Sequence, residues 1–84
     1  MQLKVVYLAR LRESFGRGGE QLELPGSGSV GTLVAVLRER GGAWSTELAQ
    51  GRAVRVAVNQ EMSSLSAPLR EGDEVALFPP VTGG

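Results

Sequence analysis

Two strand-like segments of this sequence, one at each end, are apolar on both faces. Residues 3–9 (LKVVYLA) and 74–78 (EVALF) alternate between two faces, and apolar side chains occupy each of them. The first face carries Leu3, Val5, Tyr7, Val75 and Leu77. The second face carries Val6, Leu8, Ala76 and Phe78. Runs of this kind are typical of central strands, so we expect both segments in the middle of one sheet.

The other strand-like segments are half-exposed. Residues 20–25 (EQLELP) place Leu22 and Leu24 on one side, and we expect them to form a hairpin with the first strand, across a glycine-rich turn at residues 13–19. Residues 54–59 (VRVAVN) alternate in the same way, with Ala57 directed outward. Residues 62–69 predict a short edge strand and one turn of 3₁₀ helix, and residues 70–74 (REGDE) predict a tight turn.

One segment has a clear helical period. Val30, Leu33, Val34 and Leu37 recur at i, i+3, i+4 and i+7, which is the spacing of one buried helix face. Ser29 is a suitable N-cap, and the glycines at 41 and 42 predict the end of the helix. Residues 43–51 (AWSTELAQG) predict a second short helical piece in which Trp44 and Leu48 pack inward.

The order of elements predicts an α+β fold of the β-grasp, or ubiquitin-like, class. One main helix can cover only one face of a mixed four- to five-stranded sheet. The chain has 84 residues, enough for one domain. We expect a β-grasp domain over residues 1–78 and an extended C-terminal tail over residues 79–84.

The sheet face away from the helix is expected to be apolar. It would carry Val6, Leu8, Ala57, Ala76 and Phe78. An exposed apolar patch on a small domain favours a protein-binding surface. The alternatives are cover by a loop, or the scattered apolar side chains found on any protein surface.

Several classes of function are disfavoured by what the sequence lacks. It contains neither Cys nor His, and its nine basic and nine acidic residues balance. Thiolate chemistry, the commonest general base and the commonest metal ligand are therefore absent, and no charge excess indicates a nucleic acid or a membrane surface. We expect a cytoplasmic protein that binds neither cofactor nor metal and does not catalyse a reaction on its own.

Three local patterns have simpler explanations than catalysis or cofactor binding. The glycines of residues 26–31 (GSGSVG) fit a dinucleotide-binding fingerprint, but the preceding strand is half-polar and no second βαβ half follows. The acidic residues at 71, 73 and 74 are expected to be solvated charges in a turn. Ser63, Ser64 and Ser66 have no histidine to activate them.

The sequence ends in FPPVTGG, residues 78–84. Pro79 and Pro80 fix φ and favour an extended path, whereas Gly83 and Gly84 have no Cβ and can enter a narrow channel. A rigid stem with a slender tip predicts a substrate arm whose reactive group is the terminal carboxylate.

Residues 69–84 (LREGDEVALFPPVTGG), residues 56–60 (VAVNQ) and Trp44 closely resemble the small subunit of molybdopterin synthase. That resemblance implies a β-grasp sulfur carrier. It implies that a ubiquitin-activating-type enzyme adenylates Gly84 with ATP, that sulfur converts the adenylate to a thiocarboxylate, and that the large synthase subunit receives the tail. The cyclic pyranopterin precursor would be the sulfur acceptor. It further implies a complex of two small and two large subunits, in which the stem, residues 79–82 including Val81 and Thr82, inserts.

Three other functions stay open on the sequence. A carrier for thiamin thiazole synthesis or another thiolation pathway would share the fold and the Gly-Gly ending. A ubiquitin-like modifier joined to lysines would as well. A non-covalent β-grasp interaction module would have an inert C-terminus.

Overall fold

The computed structural model describes residues 1–80, which form seven strands and three helices. The strands are β1 (Gln2–Tyr7), β2 (Gly19–Glu23), β3 (Gly28–Ser29), β4 (Arg55–Val58), β5 (Glu61–Met62), β6 (Pro68–Leu69) and β7 (Glu74–Phe78). The helices are α1 (Arg10–Phe15), α2 (Val30–Arg38) and α3 (Gly42–Glu47).

Five of the strands form one mixed sheet in the order β2-β1-β7-β4-β5. The first and last strands, β1 and β7, are parallel neighbours in its centre, and the other pairs are antiparallel. The remaining two, β3 and β6, pair separately. The sequence prediction of a β-grasp sheet with β1 and β7 central is confirmed.

The core lies between one face of this sheet and the helices. Every inward residue expected on β1 and β7 is fully buried: Leu3, Val5, Tyr7, Val75 and Leu77. All four periodic residues of α2 are buried in the same core. Among residues 1–80, α2 is the only helix longer than six residues, so one face of the sheet is covered and the opposite face is left open.

Ser29 is the N-cap of α2, as the sequence predicted. Its hydroxyl accepts the amide of Thr32, and the Thr32 hydroxyl accepts the amide of Ser29, so two amides of the first turn are satisfied reciprocally. The helix ends at Arg38, before the predicted glycines. Gly41 is instead the N-cap of α3 and Gly42 is its first residue, and both have positive φ. The second helical piece is confirmed, and Leu48 directly after it is buried.

The glycine-rich turn predicted at residues 13–19 is wrong at both ends. Its first three residues belong to α1, which buries Leu11 and Phe15 and ends at Gly16 with φ 72°. Its last residue, Gly19, begins β2. The strand predicted at residues 3–9 is also too long at its C-terminal end, since β1 stops at Tyr7.

The region from 59 to 69 contains a hairpin rather than a 3₁₀ turn. Asn59 and Gln60 both have positive φ and form the two-residue loop between β4 and β5. The expected edge strand is therefore β5, and Pro68 lies in β6 opposite Ser29. No 3₁₀ helix occurs within residues 1–80.

The proposed division at residue 78 coincides with the end of β7, but the tail beyond Pro80 lies outside the described residues.

Candidate functional site

An apolar row crosses the sheet face that α2 leaves open. Val6 pairs with Ala76 on one side of β7, and Ala57 pairs with Ala76 on the other. Because paired residues project to the same face, these three side chains form a continuous line over three strands. Each is partly exposed.

Met62 extends this row and was missed by the sequence analysis. It pairs with Ala57 across the β4–β5 hairpin, and 63% of it is exposed. The sequence did contain a signal for Met62. A two-residue loop at Asn59-Gln60 fixes the register of the hairpin and puts Met62 opposite Ala57. The weak pattern of the edge strand concealed it.

A second row lies at the C-terminal end of β7. Phe78 pairs with Arg55 of β4. The amide of Leu8 donates to the carbonyl of Leu77 at 3.0 Å, which places Leu8 beside Phe78. Leu8 is 42% exposed although it is apolar. Arg55 is exposed and forms no ion pair with any residue from 1 to 80.

The other end of the same face is polar. Lys4 lies 3.8 Å from the carboxylate of Glu74, and its cross-strand neighbour on β2 is Gln21. The apolar surface is therefore confined to the half of the sheet that adjoins the end of β7. We call this half the outer patch; it comprises Val6, Leu8, Ala57, Met62, Ala76 and Phe78.

Pro79 and Pro80 follow β7 directly and are partly buried. The structure thus brings the predicted partner-binding residues of the sheet to one surface and places the two prolines at its edge. Four further predicted site residues, Val81, Thr82, Gly83 and Gly84, lie outside the described residues.

The acidic turn before β7 serves the fold. Asp73 accepts hydrogen bonds from the side-chain amide of Asn59 at 3.0 Å and from the backbone amide of Arg70 at 2.8 Å. These bonds, that from Asn59 foremost, hold the pKa of Asp73 below its usual value. Glu71 accepts the amide of Gln2 at 3.0 Å. Within residues 1–80 no cluster of acidic side chains is arranged to hold a metal ion.

Two of the three glycines of the GSGSVG segment, Gly28 and Gly31, are explained by packing, and the third, Gly26, has φ 68°. Gly28 lies in β3, where a Cβ would come within 3.1 Å of the Thr32 side chain and 3.2 Å of Leu24. A Cβ at Gly31 would come within 3.2 Å of the Leu65 carbonyl oxygen. The segment forms a strand and a helix cap instead of a phosphate loop.

A mixed five-stranded sheet with one main helix on one face, and an apolar opposite face adjoining the C-terminal segment, defines a ubiquitin-like β-grasp protein. The chain belongs to the ThiS family, whose model matches residues 5–84. No helix within residues 1–80 is long and apolar enough to cross a membrane.

Curated relatives match over almost the full length. The molybdopterin synthase sulfur carrier subunit of Haemophilus influenzae is 39% identical over 85 residues, covering 98% of this chain and 99% of the relative. The protein of the same name from Escherichia coli is 37% identical over 84 residues, with the same coverage. The resemblance seen in the sequence is confirmed.

Solved structures support the fold. A putative molybdopterin converting factor subunit 1 from Pyrococcus furiosus is 30% identical, with a TM-score of 0.81 over 96% of this chain and 99% of the other. SAMP1 from Haloferax volcanii is 26% identical, with a TM-score of 0.79 over the whole of both chains.

Proposed function

We propose that this protein is the sulfur carrier of molybdopterin synthesis. The observation that carries the proposal is the end-to-end similarity to curated molybdopterin synthase sulfur carrier subunits, which spans 98% of this chain. The absence of His and Cys from the sequence agrees with a carrier whose chemistry is supplied by other proteins.

The reactive group in this proposal is the carboxylate of Gly84. On an adenylating enzyme of the ubiquitin-activating type, the carboxylate attacks the α-phosphate of ATP and releases pyrophosphate. Sulfur at the oxidation level of sulfide then displaces AMP and leaves a thiocarboxylate. The thiocarboxylate sulfur attacks a side-chain carbon of the cyclic pyranopterin precursor and displaces an oxygen substituent from that carbon. Hydrolysis of the resulting thioester returns the carboxylate and leaves the sulfur on the pterin as a thiol. This chain contributes the carried sulfur and holds no cofactor or metal.

The residues before Gly84 suit a narrow channel. Gly83 and Gly84 present no Cβ, so they occupy space that any other residue would fill with a side chain. In this proposal Pro79 and Pro80 hold the arm extended, and Val81 and Thr82 complete the stem that inserts. Fixing φ at two positions lowers the entropy lost when the arm inserts.

The outer patch provides the docking surface for the protein partners. Its apolar side chains surround Ala57 and Ala76 and lie at the edge from which the arm continues. Arg55 stands beside Phe78 without a carboxylate partner in the described part of the chain, so it favours a partner that brings an acidic side chain to this rim. We propose the large synthase subunit and the adenylating enzyme as these partners, and two small and two large subunits as the final complex.

Reconstitution of molybdopterin formation tests the proposal. The carrier is incubated with the large synthase subunit, the adenylating enzyme, ATP, a sulfide source and the pyranopterin precursor, and the product is quantified. Deletion of Gly84 should abolish product while leaving the thermal unfolding curve unchanged. Substitution of exposed Gln50 by Ala is the control and should retain full activity. Product formation by the Gly84 deletion would refute the proposal.

The similarity to SAMP1, the small archaeal modifier protein 1 of Haloferax volcanii, favours protein modification as a second candidate. A modifier would use the same acyl-adenylate but pass it to a lysine amine, forming an amide and releasing AMP. A new, sulfide-independent band of higher mass on a denaturing gel would support this candidate. A carrier for thiazole synthesis is distinguished by the large partner that co-purifies with the protein.

A further inference from the structure

We propose that the two prolines after β7 have separate tasks: Pro79 ends the hydrogen-bond ladder between β7 and β1, and Pro80 ends the ladder between β7 and β4. The assignment follows from the sheet register alone. Its consequence, an arm that stays out of the sheet and available to partners, rests on the proposed function.

The side of β7 that faces β1 is set by its odd-numbered residues. The carbonyl of Asp73 accepts the amide of Lys4 at 3.0 Å, and the carbonyl of Leu77 accepts the amide of Leu8 at 3.0 Å. In a parallel ladder, the β1 residue that donates to one strand residue accepts from the residue two positions further on. The next rung therefore requires the amide of residue 79 to donate to the carbonyl of Leu8.

Proline at 79 removes that donor. The carbonyl of Leu8 instead accepts the amide of Leu11 in the first turn of α1, at 3.2 Å. This bond satisfies the Leu8 carbonyl without residue 79, but it uses only one of the two lone pairs of the oxygen, so a second amide could still donate to it.

The even-numbered residues of β7 face β4. The amide of Asn59 donates to the carbonyl of Glu74 at 2.8 Å, whereas Val56 accepts the amide of Ser63 from the opposite side at 3.0 Å. Odd residues of β4 therefore bond to β7, and Arg55 and Phe78 form the last bonded pair. The next bonded pair in this register joins residue 53 to residue 80, and Pro80 has no amide to donate to the carbonyl of Ala53.

Neighbouring residues of a central strand send their amides to opposite sides, so one proline leaves one ladder free to grow. Two consecutive prolines block both. This accounts for a doublet at this point, where either proline alone would fix φ and stiffen the stem.

Single substitutions test the assignment directly. In Pro79→Ala the amide gained at position 79 should donate to Leu8, and in Pro80→Ala the amide gained at position 80 should donate to Ala53. NMR measures both, through amide hydrogen exchange and through scalar couplings across each hydrogen bond. We expect each new amide to exchange several-fold more slowly than an unstructured amide, since one net hydrogen bond contributes about 1 kcal/mol. Pro25→Ala, outside β7, is the control and should leave residues 76–82 unchanged.

Exchange of both new amides at the rate of an unstructured peptide would overturn the assignment, as would couplings to the wrong strands. These readouts need no partner protein, so they fail or succeed independently of the sulfur-carrier proposal.

The consequence for the arm has its own test. In a variant that combines Pro79→Ala with Pro80→Ala, pairing of the arm with the sheet lowers the fraction of the carrier available to the adenylating enzyme, so kcat/KM for thiocarboxylation should fall about tenfold or more. N-methylalanine at both positions also lacks the amide hydrogen and should restore the rate. An unchanged rate in the double alanine variant, or no rescue by N-methylalanine, would overturn this consequence.

Discussion

At the residue scale, the carboxylate of Glu20 is the centre of a polar network. It accepts the Tyr7 hydroxyl at 2.7 Å and two guanidinium hydrogen bonds from Arg40 at 2.7 and 2.9 Å. Arg17 adds an ion pair at 3.3 Å. The hydrogen bonds from Arg40 hold the pKa of Glu20 below its usual value, while burial, assisted by Glu20, raises the pKa of Tyr7.

This network predicts a pH dependence of stability. Because the pKa of Glu20 is lower in the folded than in the unfolded state, its stabilisation is complete above the unfolded value, near 4.5, and is lost as the pH falls through the folded value. Glu20→Gln should lower the free energy of unfolding at pH 7 and flatten its fall below pH 4.5. Urea titrations across this range measure both effects.

The control for Glu20 is Glu13→Gln, which removes the same charge from a side chain with no ion pair among residues 1–80. An equally steep acid limb in Glu20→Gln and the wild type would contradict the network's role.

Ala9 has a backbone conformation that favours glycine, because it is the first central residue of a tight turn closed by the Leu11 amide and the Leu8 carbonyl. It has φ 54° and ψ −133° between β1 and α1. Such a conformation costs a non-glycine residue about 1–3 kcal/mol. Ala9→Gly should therefore raise the free energy of unfolding by about 1 kcal/mol after the entropy of the unfolded chain is subtracted. Chemical denaturation of the wild type and the variant measures this difference in the free energy of unfolding.

Ala53→Gly provides the matched comparison. Ala53 is exposed and is absent from the residues with positive φ. Its replacement should lower stability by about 0.5–1 kcal/mol. A loss of similar size in both variants would show that Ala9 is unstrained.

At the element scale, the capping box of Ser29 and Thr32 determines where α2 begins. Removing an N-cap hydroxyl typically costs about 1 kcal/mol. Ser29→Ala should lose this amount in thermal or urea unfolding, whereas Ser27→Ala, two residues earlier in the loop, should lose much less. Equal losses at both positions would mean that the cap contributes nothing specific.

The outer patch yields a prediction about binding. Ala57→Lys places a charge in the centre of the apolar row while leaving the core face of β4 untouched. Burial of an unpaired charge in an interface is costly, so affinity for the large synthase subunit should fall about tenfold or more. Isothermal titration calorimetry measures the affinity.

Gln21→Lys adds the same charge at the polar end of the same sheet face and serves as the control. Unchanged affinity in Ala57→Lys, with an intact unfolding curve, would exclude the outer patch from this interface.

Elements differed in how well the sequence predicted them. The strands β1 and β7 and the helix α2 have regular apolar patterns along their whole length, so the local sequence alone predicts them. Helix α1 has only six residues, and its two buried positions, Leu11 and Phe15, sit between strand-like and glycine-rich segments. The contacts that justify it are tertiary: Phe15 stacks on Trp44 with ring centroids 3.9 Å apart.

At the scale of the whole molecule, the fold class could be predicted from the number and order of the helices and strands. One covering helix, two central strands at opposite ends of the sequence and a half-exposed hairpin leave few arrangements other than a β-grasp sheet. The Tyr7–Glu20–Arg40 network could not be predicted in this way. Tyr7 and Arg40 lie 13 and 20 residues from Glu20 along the chain, and only the folded sheet brings the three together.

The site was predictable to a different extent. The sequence alone predicted that Val6, Ala57 and Ala76 share one face of the sheet, because successive side chains of a strand alternate strictly between its two faces. The addition of Met62 required the pairing of β4 with β5. Val81 to Gly84 lie outside the described residues, so the roles assigned to them stay predictions.

The chemistry proposed for Gly84 is tested most directly by mass spectrometry. The protein is incubated with the adenylating enzyme, ATP and sulfide, then measured intact and after proteolysis. The account predicts a gain equal to the replacement of one oxygen by sulfur, located on the peptide that ends at Gly84 and dependent on ATP. No gain under conditions that convert a known carrier, or a gain on any other peptide, would contradict it.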